Sequence, residues 1–313
     1  MNAIRLHDTK DMSHEAWLEA RKGGIGGSEA ATVCGVNPWT SPVQLWMEKT
    51  RRADPPDLSD NEAVYWGTML EDKVAIRFSE LTGKKVMRQN AILQSADNPF
   101  MFANVDRVVV GENAGLECKT TSDKDEWADE GVPDHYKLQC QHYIAVMGWD
   151  VCYIAVLIGG QHFEWRRIER DQSLIDRLVE QERRFWEDHV LADVPPEIFT
   201  IRDVEALFGS ECSDVYLEPD MDSVTAAREY LRLQEQARSI KKDMDGIKES
   251  LIVKIQDRMG IEGVCTYKAP APSVDWEAMA QDQLEPNEIA DLRPAYLKKS
   301  SRRFVVKLAK EYR

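Results

Sequence analysis

The sequence predicts an α/β domain followed by a long helix. Three observations predict it. Helix-like and strand-like segments alternate over the first 190 or so residues, a double proline at Pro195 and Pro196 ends the alternation, and a heptad-like apolar seam then runs through about 222–259.

Taken in order, Trp17 to Lys22 and Ser28 to Cys34 read as helices, the second with Ser28 as its N-cap behind Gly23, Gly24, Gly26 and Gly27. A helix over about 62–82 follows from apolar residues at Val64, Met69 or Leu70, Val74, Ile76 and Phe78, and Gly83 supplies its stop. KKVMRQNAIL, FANVDRVVV and AGLECKT read as strands, about 134–147 as a helix, VCYIAVLIGG and FEWRRIER as strands, and about 171–191 as a helix. Proline restrains the residue before it and removes a backbone donor, so the first domain is placed at 1–195, a linker at 196–221 and a second region at 222–313. In that region Tyr230, Leu233, Ala237, Ile240, Met244, Ile247 and Leu251 recur at alternating steps of three and four, a seam on a helix about 55 Å long that Gly260 would stop. GVCTYKA and RRFVVKLA are two further strand candidates.

The chain has 313 residues, 43% of them hydrophobic, enough for a substantial core. It lacks both an apolar run of the roughly 20 residues a membrane span needs and the apolar segment of a signal peptide, so a cytoplasmic, membrane-free protein is expected. Its six cysteines are scattered without a CxxC pair, which fits reduced thiols better than a disulfide framework. His135, Cys140 and His142 lie close together, but their spacing matches no usual zinc pattern. Net charge is −15, so overall electrostatics do not point to nucleic acid. Only the C-terminal end is basic, with Lys298, Lys299, Arg302, Arg303, Lys307, Lys310 and Arg313 against Glu311; it could meet a DNA backbone or be a solvated tail.

The chemistry concentrates around NAGLECKTT. Residues two apart in a strand share a face, so Glu117 and Lys119 point one way while Leu116 and Cys118 point the other. If VDRVVV and GLECKT form a hairpin across the GENA turn, Asp106 sits beside Glu117. Two such carboxylates suit Mg2+, a hard cation that prefers oxygen and keeps several waters, and Lys119 could orient or help deprotonate an attacking water. Those parts together hydrolyse phosphodiesters. The spacing also fits a solvated aspartate beside an exposed ion pair. Glu71, mid-helix in WGTMLEDKV, could reach the same place, or pair with Lys73 or Arg77 on the helix surface. Gln139, one turn after Tyr136 in HYKLQCQHY, could bond a phosphate or the water, or be a partly buried amide. Arg21 and Ser28 flank RKGGIGGSEAA, a loop feeding a helix N-terminus where an anion can bind; a flexible turn before a capped helix is the plain alternative. The loop lacks the Lys-Ser/Thr ending of an ATP-binding P-loop.

Four blocks, RKGGIGGSEAATVCGVNPWTSPVQLW, YWGTMLEDKVAIRF, NVDRVV with GLECKT, and YKLQCQHYIAVMGW, occur in the order and spacing of the YqaJ-like phage recombination exonucleases, relatives of phage lambda exonuclease in the PD-(D/E)xK nuclease superfamily. The resemblance covers about 14–190. It implies a mixed central sheet flanked by helices and a Mg2+-dependent 5′→3′ exonuclease on linear double-stranded DNA, with Mn2+ as an alternative ion, in a bacterial or phage-infected cell. It further implies a homo-oligomer, often a trimeric ring, working with a single-strand annealing protein. An endonuclease of the same fold and a non-catalytic DNA-binding or assembly protein are the alternatives. By the same resemblance Asp106 and Glu117 are metal carboxylates, the Cys118 carbonyl a third ligand, Lys119 the catalytic lysine, Glu71 the helical acid and Gln139 the residue that places the nucleophile. Arg21 and Ser28 correspond to the pair that holds a 5′ phosphate. Val105 and Arg107 stand where the pattern usually has proline and glycine around the aspartate.

Overall fold

The computed structural model describes residues 3–209, 213, 215–268, 279 and 284–292, in two compact units, Met1–Leu207 and Phe208–Arg313. In the first unit the order is β1 (Ala3–Asp8), α1 (His14–Arg21), β2 (Ile25–Gly26), α2 (Gly27–Val33), α3 (Pro42–Lys49), α4 (Glu62–Thr82), β3 (Val86–Arg88), β4 (Ala91–Ser95), β5 (Met101–Ala103), β6 (Arg107–Val109) and β7 (Ala114–Thr121). A 3₁₀ turn (Asp125–Glu130), α5 (Asp134–Met147), β8 (Val151–Ile158), β9 (His162–Glu169), α6 (Gln172–Arg184) with a π-helical extension (Phe185–Leu191), and α7 (Ile201–Phe208) follow. The mixed α/β class agrees with the sequence pattern; KKVMRQNAIL and FANVDRVVV each divide into two strands, β3 with β4 and β5 with β6, and β1, α3 and α7 are elements the pattern did not announce.

Local chemistry sets the helix ends. Asn61 caps α4 by accepting from the Ala63 and Val64 amides, and Gly83 closes it at φ 72°, a left-handed conformation that glycine adopts without strain. Ser41 and Gln44 form a reciprocal capping box on α3, with Pro42 at its first position. At α2 the expectation is corrected: the cap is Gly26, and Ser28 lies inside the first turn. Glu29, three residues past the cap, accepts from the Gly26 amide at 2.8 Å and takes over the capping role.

The main sheet has the order β3-β6-β7-β8-β9, antiparallel except for the long β7–β8 pair, which runs parallel from Ala114 opposite Val151 to Thr121 opposite Ile158. That parallel pair requires a crossover, supplied by the 3₁₀ turn and α5. β8 (VCYIAVLI) is covered on both faces and accordingly reads as a continuous apolar run. Leu116 and Tyr153 pack on one face with Val74 and Phe78 of α4, while Cys152, Ile154 and Val156 pack on the other with Ile144 of α5. A second sheet, β1-β4-β5-β2, holds the glycine-rich segment: Ile25 and Gly26 pair with Met101 and Phe102. Fully buried His142 ties α5 to both its neighbours, with Nδ1 2.8 Å from Glu182 Oε1 of α6 and Nε2 2.8 Å from the Phe102 carbonyl of β5. Burial lowers the ring's pKa, but the Glu182 charge and the two hydrogen bonds prevail and raise it.

The double proline does end the α6 extension, but not the unit. Beyond it Asp203 is buried, accepting from the Phe199 and Thr200 amides, and Leu207 packs on the main core. The expected boundary at 195 and linker from 196 are therefore corrected to a first unit that runs to Leu207. The second unit contains α8 (Met221–Ile255), β10 (Gly260–Ile261) paired with β11 (Cys265–Thr266), and α9 (Pro286–Leu292). At 35 residues α8 is about 52 Å long, and Leu233, Ile240, Met244 and Ile247 of its seam are exposed. It stops at Gln256, before Gly260, which instead opens β10. RRFVVKLA and the basic C-terminal residues lie outside the described residues.

Candidate active site

The β6–β7 hairpin builds the centre of the site. Arg107 pairs with Leu116 and Val108 with Gly115, and one step further along that register Asp106 falls opposite Glu117. The Asp106 carboxylate accepts from the Cys118 amide at 2.8 Å, across the end of the ladder. Glu117 is 4% exposed. Its Oε1 receives both the Lys119 ammonium and the Gln139 amide nitrogen, each at 2.7 Å. Gln139 also donates to the Tyr143 hydroxyl at 3.1 Å, and that hydroxyl donates to the Asn104 carbonyl at 2.8 Å. The sheet thus supplies Asp106, Glu117 and Lys119, and one face of α5 supplies Gln139 and Tyr143.

The electrostatics follow from this packing. Burial pushes the Asp106 carboxyl well above the usual carboxylate range, and the charges of Glu117 and Glu71 push the same way. Burial alone would lower Lys119; Glu117, which faces it directly, outweighs that and raises it, so the side chain stands as an ammonium that donates. The Lys119 ammonium also sits 4.8 Å from the Tyr136 ring centre.

Glu71 is near but differently engaged. Its carboxylate bonds Arg107 Nη1 at 2.5 Å, while Arg107 Nη2 bonds Asp72 at 2.5 Å and Nη1 also donates to the Asp106 carbonyl at 2.7 Å. Neither surface partner expected for Glu71 engages it in this way: Arg77 pairs with Glu80 at 2.9 Å. Arg107, 4% exposed, is therefore a buried counter-ion that fixes α4 to the strand carrying Asp106.

The residues present fit a divalent cation. Among the described residues no three His, Cys, Asp or Glu side chains converge as a ready ligand set. Two carboxylates do converge, and Glu117 Oε2 is buried without a hydrogen-bond partner while Oε1 carries two. A pair of carboxylates with one oxygen left open is what a hard cation that prefers oxygen and retains water uses.

Arg21 and Ser28 also meet, at 3.2 Å, against the start of α2. The Arg21 guanidinium lies over Trp17 at 4.6 Å and bonds Glu29 Oε1 at 3.0 Å. Glu29 Oε2 in turn receives Lys49, 2.7 Å away, whose ammonium also donates to the Arg21 carbonyl at 2.9 Å. Burial raises Glu29, but the Lys49 and Arg21 charges prevail and hold it below the usual range. Burial lowers Lys49 against the pull of Glu29. With acceptors on both sides of its nitrogen, we read Lys49 as charged. Tyr143 links this loop to the carboxylates: a Cβ added to Gly27 would lie 2.3 Å from its ring, so the absence of a side chain at Gly27 lets α2 approach α5.

Sequence reasoning missed Arg107, Glu29, Lys49 and Asn104. Glu29 carried a signal, the acid three residues after a helix cap. Lys49 carried none, because 28 residues separate it from the carbonyl it bonds.

The signature described as YqaJ-like viral recombinase domain matches residues 16–150. The chain is 37% identical over 307 residues to the uncharacterized protein YqaJ of Bacillus subtilis (strain 168), covering 92% of this chain and 91% of that one. Among solved structures it is similar to an alkaline exonuclease (LHK-Exo) from Laribacter hongkongensis, with 22% identity and a TM-score of 0.48 over 57% of this chain and 94% of that one. It is also similar to a phage-related exonuclease from Haemophilus somnus 129PT, with 14% identity and a TM-score of 0.42 over 54% of this chain and 96% of that one. On the strength of the near full-length match to YqaJ and the matching signature, the chain belongs to the YqaJ-like viral recombinase family.

Proposed function

We propose that the protein is a divalent-cation-dependent deoxyribonuclease that degrades one strand of linear double-stranded DNA from its 5′ end, leaving single strand for recombination. The observation that carries this reading is the convergence of Asp106, Glu117, Lys119 and Gln139, with one buried carboxylate oxygen left open. The family's description as a recombinase agrees with it.

Asp106, Glu117 and the Cys118 carbonyl would hold Mg2+, or Mn2+ in its place. Bound there, the ion would neutralise charge on the phosphodiester and make water more acidic. The chain's own residues do the rest. Lys119, as a donor, orients the attacking water and offsets charge on the phosphate. Gln139 fixes Glu117 and the water's approach, and Arg107 holds Glu71 at the edge of the cluster. Arg21 and Ser28, with the amides at the start of α2, receive the 5′ phosphate. A single-strand annealing protein and a homo-oligomer, a trimer by family resemblance, complete the reading.

End-labelled linear duplex, closed circular duplex and 5′-dephosphorylated duplex, each with Mg2+ and with EDTA, test it. Digestion of linear phosphorylated duplex in Mg2+ alone is expected, with Lys119→Ala inactive but still folded. Cutting of the circle at the same rate would turn the reading to an endonuclease, and undiminished digestion by Lys119→Ala would sink it.

A further inference from the structure

Val224 near the start of α8 and Ile255 at its end are buried, but every residue from 232 to 250 is exposed. That stretch is about five turns of helix with water on all sides. Most helices draw their stability from packing an apolar face, and this one also carries Gly246, a poor helix former, in its middle. Its apolar side chains lie on one stripe: Leu233, Ala237, Ile240, Met244 and Ile247, of which Ile240, Met244 and Ile247 are 60%, 63% and 63% exposed. The steps of four and three give a 3.5-residue period, the period of a helix that packs along its length against another helix.

The charges beside the stripe say which helix. With Ala237 and Met244 at a and Leu233, Ile240 and Ile247 at d, the e positions are Gln234, Lys241 and Lys248 and the g positions are Glu229, Gln236 and Asp243. One flank is neutral or basic and the other neutral or acidic. In a parallel pair in register, each g residue faces the e residue five places on in the other helix. Glu229 then meets Gln234, Gln236 meets Lys241 and Asp243 meets Lys248, and no like charges face each other. Turning one helix round sets e against e and g against g, which brings lysine to lysine and acid to acid. The stripe is therefore complementary to itself in one orientation. Among the described residues the ion pairs within α8 are Glu229 with Arg232 and Glu235 with Arg238, so Lys241, Asp243 and Lys248 keep their charges for a partner.

We propose that α8 joins copies of this chain, with Leu233, Ala237, Ile240, Met244 and Ile247 packed against the same residues of a second α8 that runs parallel and in register. The proposal extends the homo-oligomer of the function proposed above by giving it a surface, and it does not depend on the nuclease reading.

The test uses the full chain. Sedimentation equilibrium at micromolar concentration should give a mass of at least two copies. Lys248→Glu turns its contacts with Asp243 from attraction to repulsion and should weaken association about tenfold. Adding Asp243→Lys reverses both partners and should restore most of the association, which a folding defect would not allow. Ile240→Cys oxidised with glutathione disulfide should form a disulfide-linked dimer above the parent's background, whereas Glu235→Cys, on the opposite face of α8, should not. A parent of one copy overturns the proposal and leaves the stripe to a different protein. An oligomer whose association Lys248→Glu leaves unchanged overturns it as well and puts the self-contact elsewhere. Failure of Asp243→Lys to rescue, or equal cross-linking through Glu235→Cys and Ile240→Cys, removes the parallel register. Digestion of linear duplex is read separately: an inactive parent that passes these tests ends the nuclease reading and keeps the α8 contact, and an active parent that fails them does the reverse.

Discussion

Replacing Lys49 by methionine isolates what holds the arginine clamp. Methionine keeps most of the apolar stem and removes the ammonium, whose side chain is 3% exposed. Glu29, 15% exposed, then loses its partner at 2.7 Å and keeps Arg21 at 3.0 Å and the Gly26 amide at 2.8 Å. Breaking a buried ion pair costs about 3–5 kcal/mol, and the two remaining partners put this case near about 3 kcal/mol. For a unit of this size that lowers the melting temperature by about 6–12 °C. Adding Glu29→Gln removes the stranded charge, so the double variant should regain more than half of the loss. The Arg21 carbonyl also loses its Lys49 donor, which loosens the end of α1 that carries the guanidinium, so the preference for 5′-phosphorylated over 5′-hydroxyl duplex should fall in the single variant. Thermal melts and paired digestion assays measure both. A Lys49→Met melt indistinguishable from the parent, or a double variant no more stable than the single, would refute the reasoning.

Asp106→Asn should raise the melting temperature while abolishing digestion, because the buried carboxylate is destabilised by burial and by Glu117 and Glu71, whereas an amide oxygen can still accept from Cys118; a lower melting temperature would count against this. Gly27→Ala places a Cβ 2.3 Å from the Tyr143 ring and should cost about 1–3 kcal/mol in urea denaturation, with parental stability as the contrary result. At His142 burial opposes the charged ring, but Glu182 and the Phe102 carbonyl prevail and raise it. The folded state thus holds a proton that the unfolded chain gives up above about pH 6.5, so this stabilisation is full below that pH and fades as pH rises through the folded value. Burial raises Glu182 as well, which adds to the same slope. Urea midpoints at several pH values should therefore fall more steeply with pH in the parent than in Glu182→Gln, and parallel curves would remove the claim.

The parts of the site that sequence made legible are those fixed by short-range rules. Alternation in a strand put Glu117 and Lys119 on one face, and the hairpin count put Asp106 opposite Glu117. Helical spacing put Gln139 one turn after Tyr136 on α5, and the two reach Glu117 and Lys119. The α8 seam was legible for the same reason, its period. What escaped was set by distance along the chain. Arg107 was a departure from the family pattern on paper; folding brings it within reach of Glu71, 36 residues earlier. Ser28 was read as a cap because serine favours that role, yet the glycine before it takes the extended cap conformation and Glu29 supplies the bond. The unit boundary moved for a similar reason: Pro195 and Pro196 interrupt a helix, but only tertiary contacts show that Leu207 returns to the core.

The hairpin that aligns Asp106 with Glu117 also ties the candidate site to a turn that supplies none of its side chains. The turn from Val110 to Asn113 lies roughly 13 Å up the strand from Asp106, facing away from the carboxylates. Its side chains hold the scaffold: Glu112 pairs with Lys84 and accepts from the Tyr153 hydroxyl at 3.0 Å, Asn113 donates to the Gly148 carbonyl at 2.9 Å, and Gly111 turns at φ 86°. Its length matters as much. One inserted residue that shifts the pairing would rotate Asp106 to the opposite face, beside the apolar packing of α4, and leave Glu117 without its neighbour. Insertion scanning along this turn should therefore yield folded, inactive proteins.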